Sequence, residues 1–250
     1  AFELKFTGSQ KVETITVKAS AASQKMSGAA TVNPETATLA MGTSVESFSF
    51  VSLEVPEAVT LNSSKATSFY VLVPAGTYEA LQIGVMTEDG SYARVATKAH
   101  TVKVGEIKPI NCGNLDTMID EASATNLSAN GYANCYVVVP NGAEKTYVFD
   151  TKHVDGTAVT ASEYHTNTYD ANVVGDAMDP HMAQILWTED TGVAYDIQFD
   201  KVNGKIYFKN NGTALGNARI MLCCDQIGLN ASTPANQLVW AWHIWSTPST

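Results

Sequence analysis

The chain has 250 residues, 15 basic and 25 acidic, so it carries a formal charge of -10 with only 16% of residues charged. Apolar residues make up 45%, enough at this length for one or two real cores without metal or disulfide staples. This balance argues against disorder, and the absence of any clustered Lys and Arg argues against nucleic acid or an anionic membrane surface as partner. No stretch approaches the roughly 18 apolar residues of a spanning helix, so no direct membrane span is expected.

Period-2 alternation dominates, in short runs punctuated by Gly, Pro, Asn and Ser, which predicts a nearly all-β chain. Phe2, Leu4 and Phe6 alternate with polar residues, and Gly8-Ser9-Gln10 offers a turn before Val12 to Val17, so an opening hairpin is expected. Further runs follow at Thr36 to Met41, Ser47 to Leu53, Ser68 to Val73, Ala80 to Met86, Tyr92 to Thr97 and His100 to Val104. Glu88-Asp89-Gly90-Ser91 predicts a hairpin between the Ala80 and Tyr92 runs. The pattern lapses from Ile110 to Asn134: Asn111-Cys112-Gly113-Asn114 reads as a strand break, and Asp116 to Ala122 as a helical turn or two.

A second β series covers Ala133 to Val139, Lys145 to Phe149, Gln184 to Trp187, Tyr195 to Phe199, Lys205 to Phe208, Ala218 to Cys223 and Gln237 to Trp245, with Asn203-Gly204 as the strongest hairpin signal. Two consecutive β-sandwich domains are therefore expected: residues 1–112, a linker at 113–130, and residues 131–250 with a long loop at 150–183. The two halves show no evident mutual repeat.

Chemistry-bearing motifs are sparse. Cys112, Cys135, Cys223 and Cys224 lack zinc-site spacing and read as buried free thiols in preference to a bridge. Asp190-Thr191-Gly192 has the letters of an aspartic-protease turn but no second copy, and reads as a surface turn. Asp170, Asp176, Asp179 and His181 bunch in the long loop as weak metal candidates; their spacing matches no calcium loop, and a solvated acidic loop is the preferred reading. No nucleophile elbow, phosphate loop or His-Glu-x-x-His occurs, so no enzyme and no cofactor is expected. Asn62, Asn126, Asn211 and Asn230 each open an Asn-x-Ser/Thr triplet, which matters mainly on a eukaryotic secretory route.

The closing run Leu238 to Trp245 places Trp240, Trp242 and Ile244 on one face and Ala241, His243 and Trp245 on the other. Three readings stay open: a central core strand, a partner surface at His243 and Trp245, or indole stacking on carbohydrate, with Trp187 as a further platform.

The segments Phe2-Glu3-Leu4-Lys5-Phe6, Thr14 to Val17, Ser68 to Tyr78, Val102 to Ile110, Asn126 to Gly131, Ala133 to Val138, Ile185-Leu186-Trp187 and Trp240 to Trp245, in this order, resemble those of fimbrillin-like surface proteins of type V pili. The resemblance implies a non-enzymatic structural or adhesive subunit at the cell surface or outer membrane of a Gram-negative bacterium, exported as a lipoprotein and matured by proteolysis. It implies partners among other pilus subunits, surface proteins, or a host or glycan ligand. The chain lacks a lipid-attachment Cys at its start, and similar modules often continue into another domain, so a fragment of something longer is also expected. Asp116-Thr117-Met118 has the form of the O-glycosylation sequon of bacteria that carry such pili, although a solvated linker is preferred. Polymerisation by strand exchange would use Phe2, Leu4 and Phe6 of the opening strand or Trp240 and Trp242 of the closing one, unless both simply close their own sheets. A carbohydrate-binding surface module is the rival.

Overall fold

The computed structural model describes residues 1–21, 23–36, 38–43, 47–96, 98–151, 153–154, 157–158, 180, 182–223 and 238–248. Asp170, Asp176, Asp179, His181, Cys224 and Asn230 lie outside the described residues. The fold is all-β, with several multi-strand sheets, as a sandwich architecture requires. Among the described residues the helical segments are 3₁₀ turns at Leu115–Thr117 and Glu121–Ser123, where helical turns were expected. The chain divides into two compact units, Ala1–Glu88 with Arg94–Thr117, and Asp89–Ala93 with Met118–Thr250.

In the first unit, the opening strand Phe2–Thr7 lies between Lys108–Asn114, which it pairs in parallel, and the antiparallel Thr67–Val71. Alternation buries Phe2, Leu4 and Phe6, and Phe2 meets Tyr78 and His100 edge-on. Lys11–Ala19 belongs to a different sheet, between Leu81–Thr87 and Phe50–Thr60. The expected opening hairpin is thus corrected: Gly8-Ser9-Gln10 passes the chain from one sheet to another. Thr14 to Val17 are consecutively buried, so this strand has both faces covered and takes a neighbour on each side. Phe50–Thr60 is its outer neighbour, and Pro56 falls between the paired residues Glu54 and Val59, where the register jumps and no ladder N–H is needed.

The expected break at Asn111-Cys112-Gly113-Asn114 is also corrected, because Lys108–Asn114 runs through it as a strand. A bulge absorbs the irregularity: Lys5 pairs Asn111 and Phe6 pairs Gly113, leaving Cys112 as the extra residue. The Arg94 guanidinium donates to the Cys112 carbonyl at 2.7 Å. Gly113 sits at φ +81°, where a Cβ would stand 2.8 Å from Arg94 Nη1, so no larger residue fits without displacing that bond. Burial pushes the Cys112 thiol up to about 12 against a smaller opposing pull from Arg94.

The second unit stacks two sheets. One contains Thr125–Asn126, Lys145–Asp150, Lys205–Asn210, Tyr195–Asp200 and the Gly90–Ala93 end of the strand Gly90–Ala96. Gly90 is required here, since a Cβ would lie 1.9 Å from the Phe199 carbonyl oxygen. The other sheet has the order Cys135–Val138, Leu238–Ser246, Gly216–Cys223, Met182–Thr188. Between them Phe149, Phe199, Ile206 and Phe208 of the first meet Trp242, Ile244, Ile220 and Leu222 of the second. The Phe149 and Trp242 rings are 5.2 Å apart. The Asn203-Gly204 hairpin forms as expected, closing Tyr195–Asp200 onto Lys205–Asn210.

The stretch expected as a linker divides between Thr117 and Met118. Beyond that point it is built into the second unit: Thr125–Asn126 pairs Tyr147–Val148, and buried Ser128 Oγ contacts Tyr136 Oη at 2.9 Å and accepts from Asp150 N at 3.0 Å. Asn side chains close many of the turns. In the triplets at Asn62, Asn126 and Asn211 the Asn Oδ1 accepts the backbone N–H two residues on, a local reason for Asn followed by Ser or Thr that involves no modification. Asp190-Thr191-Gly192 is likewise a turn, closed by Gly192 N donating to Asp190 Oδ1 at 2.7 Å.

Two outcomes follow. Phe149→Ala and Trp242→Ala each lower unfolding free energy in denaturant titration by about 3–5 kcal/mol, and the double variant loses less than the sum because the rings share one contact. His100 is held below its ordinary value of 6.5, mainly by burial and then by Lys108. The unfolded chain therefore binds this proton more readily, and the His100 contribution to stability is lost as pH falls through 6.5 towards the depressed folded value. Thermal midpoints measured between pH 8 and 5 fall more steeply for the natural chain than for His100→Gln.

Candidate functional site

The four-stranded sheet of the second unit has an outward face, and the closing strand Leu238–Ser246 determines what stands on it. This strand is paired on both sides, in parallel to Cys135–Val138 and antiparallel to Gly216–Cys223. Its core-facing residues are Trp242 and Ile244, both fully buried, while Trp245 is 48% exposed and His243 half-buried. Trp240 is partly buried and packs against the core, with its indole N–H donating to Asn134 Oδ1 at 3.0 Å.

The register places Cys135, His243, Arg219 and Trp187 side by side, one from each strand. At about 4.8 Å between strands, that row spans about 14 Å. The next row carries Val137, Trp245 and Asn217. A bulge decides the edge position: Ile185 pairs Ile220 and Trp187 pairs Arg219, so Leu186 is the extra residue and Trp187 faces Arg219. His243, Trp245 and Trp187, expected from the sequence as a partner or ligand surface, are thus gathered on one sheet. Val137, Leu186 and Trp187 are exposed, the last by 43%.

A line of hydrogen bonds crosses this face. Glu189 Oε2 accepts from Asn217 N at 2.8 Å and from Asn217 Nδ2 at 2.9 Å. With its amide nitrogen committed to Glu189, Asn217 turns Oδ1 to His243 Nε2 at 2.7 Å, so Nε2 carries the proton and donates. In the neutral ring Nδ1 is then an acceptor, and it lies 3.4 Å from Cys135 Sγ. Cys135 is held in place by its neighbour, whose carbonyl accepts from His243 N at 2.8 Å.

The sequence reading of Cys135 as a buried thiol is corrected: Cys112 and Cys223 are buried, and Cys135 is exposed and free. Because Cys135-Tyr136-Val137-Val138 is apolar throughout, no contrast along the run tells its two faces apart. Asn217, Arg219 and Glu189 were also missed. The polar residues alternating with Ala218 and Ile220 were the available signal for two of them.

The strand-exchange candidates have different placements from edges. Phe2, Leu4 and Phe6 stand on a strand paired on both sides over Phe2 to Phe6, whereas the closing strand is paired from Leu238 to Ser246 on one side and, among the described residues, over His243 to Ser246 on the other, so Trp240 and Trp242 lie where only one neighbour is paired. No group of three or more His, Cys, Asp or Glu side chains positioned to hold a metal ion occurs among the described residues. No helix among them is long and apolar enough to cross a membrane. Compared with family models, curated proteins and solved structures, the chain matches none.

The bonding order predicts one ring tautomer. Nitrogen-15 NMR of the neutral imidazole shows His243 protonated on Nε2, and Asn217→Ala abolishes that bias and lowers the thermal midpoint by a few degrees.

Proposed function

We propose that the chain is a non-enzymatic adhesive or structural subunit of a cell-surface assembly, of the fimbrillin-like kind its segments resemble, and that it engages its partner through the outward face of the four-stranded sheet. The observation that carries this reading is the placement of Trp187, Arg219 and Trp245 together on a hydrogen-bonded sheet, with Val137 beside them. Exposed Trp and Arg on a rigid support are the residue types that dominate binding energy in protein interfaces, since they bury large area at low entropic cost. Arg219 is exposed, and an exposed guanidinium is suited to bidentate pairing with a carboxylate across an interface. Residence at the surface of a Gram-negative bacterium, export as a lipoprotein and other pilus subunits as partners belong to this same reading and rest on the sequence resemblance.

One observation favours a second reading, a carbohydrate-binding module: two indoles on one face are flanked by the fixed polar groups of Asn217 and Glu189, the arrangement that sugar rings and hydroxyls require. A glycan array run beside a pull-down against surface proteins of the source cell separates the two. With the natural chain, saturable protein capture that weakens tenfold or more in Trp245→Ala and Trp187→Ala, with thermal midpoints within a few degrees, supports the first. Saturable glycan binding lost in the same variants supports the second, and binding unchanged in both variants removes this face from either reading.

A further inference from the structure

The line Glu189, Asn217, His243, Cys135 is more than a binding surface needs. We propose that Cys135 is an activated, solvent-facing nucleophile that exchanges with small carboxylate-bearing disulfides, with His243 as its base and Asn217 and Glu189 as positioning residues. This goes beyond the binding reading and stands independently of it.

Geometry supplies each part. Neutral His243 has its Nε2 proton engaged by Asn217 Oδ1 at 2.7 Å, which leaves the Nδ1 lone pair directed at Cys135 Sγ, 3.4 Å away. Such pairing of thiol, imidazole and an orienting third group is the generalised arrangement of an activated nucleophile. Glu189 Oε2 accepts from Asn217 Nδ2 and from the Asn217 backbone N–H, and the Nδ2 bond fixes the amide orientation, so the ring cannot trade the acceptor for a donor. The thiol is exposed, whereas Cys112 and Cys223 are buried.

The open sheet face selects the chemistry. Acyl transfer requires donors preorganised around a developing oxyanion in a water-excluding site, which an exposed sheet surface does not provide. Displacement at sulfur requires a thiolate, an in-line approach and a proton to hand on. The Cys135 proton passes to His243 Nδ1, and Sγ attacks one sulfur of R–S–S–R′. The Cys135 Sγ–SR bond forms as the S–S bond breaks, and the departing R′S⁻ takes the proton from His243. Cys135 is oxidised to a mixed disulfide and the reagent is reduced by one thiol. Among the described residues, the charged groups bordering the pair are Glu189, already engaged by Asn217, and Arg219, directly opposite His243 on the neighbouring strand. Arg219 favours the approach of an anionic reagent, against the repulsion expected from a chain of net charge -10.

The test is the stopped-flow rate of the full chain with 5,5′-dithiobis(2-nitrobenzoate), an anionic disulfide, and with cationic cystamine, between pH 5.5 and 9. The natural chain is expected to show one fast thiol, mapped to Cys135 by peptide mass and lost in Cys135→Ser. His243→Gln slows it tenfold or more at pH 7 and moves the pH–rate profile up to that of an ordinary thiol. Asn217→Ala gives an intermediate shift, and Arg219→Gln reduces the preference for the anionic reagent severalfold. The profile of the natural chain is informative without any variant: a plateau reached well below the range of free cysteine supports the proposal. A fast phase surviving in Cys135→Ser, or a natural-chain profile matching free cysteine at every pH, overturns it. Equal rates for folded His243→Gln and the natural chain overturn it as well.

Discussion

Everything on the candidate surface depends on the register of the closing strand. Side chains alternate with period 2, so a slip of one residue would drive His243 and Trp245 into the core and expose Trp242 and Ile244. Two neighbours hold that register, one parallel and one antiparallel, and the indole of Trp242 wedged against Phe149 makes any slip cost a large buried area. A buried polar cluster pins the strand's far end: Asn210 Nδ2 donates to the Val193 carbonyl at 3.1 Å and to Ser246 Oγ at 3.3 Å, and Ser246 Oγ donates to the Ala214 carbonyl at 2.7 Å. Unlike apolar packing, these bonds are satisfied at one alignment only.

The same register brings a thiol, an imidazole, a guanidinium and an indole into one row from four strands that are remote in sequence. The Trp242 Nε1–H, buried without a hydrogen-bond partner among the described residues, shows that the core accepts a polar cost to keep a large ring at this position. The outward face is therefore a by-product of core packing in its placement and a matter of chemistry in its residue types. A binding face and a reactive thiol are compatible on it, because both need rigid side chains that remain accessible to solvent.

Much of the architecture was legible in the chain. Nearly every alternating run in both series forms a strand, and the Asn203-Gly204 turn joins the strands it was expected to join. The misreadings share a cause. The Phe2 and Val12 runs were paired because they are adjacent, yet each found longer-range partners that bury more surface. Lys108–Asn114 was cut short at Cys112-Gly113 because a strand carrying a bulge looks, in one dimension, like a strand that ends. In the Asn-x-Ser/Thr triplets at Asn62, Asn126 and Asn211 the Asn Oδ1 accepts the backbone N–H two residues ahead, a local turn device that short motifs carry in plain sight.

By itself the sequence determined the all-β class, the strand segments and which residues of the closing run share a face, since alternation and turn chemistry are local properties of the backbone. It also marked His243, Trp245 and Trp187 as residues with an unused aromatic or polar surface. Only the tertiary structure decided which strands are neighbours, that both chain-terminal strands lie inside their sheets, and that Cys135 faces solvent beside His243. Cross-strand adjacency is set by long-range burial competing among many equally regular strands, and a run such as Cys135-Tyr136-Val137-Val138, apolar on both faces, contains no local signal of which side the core will claim.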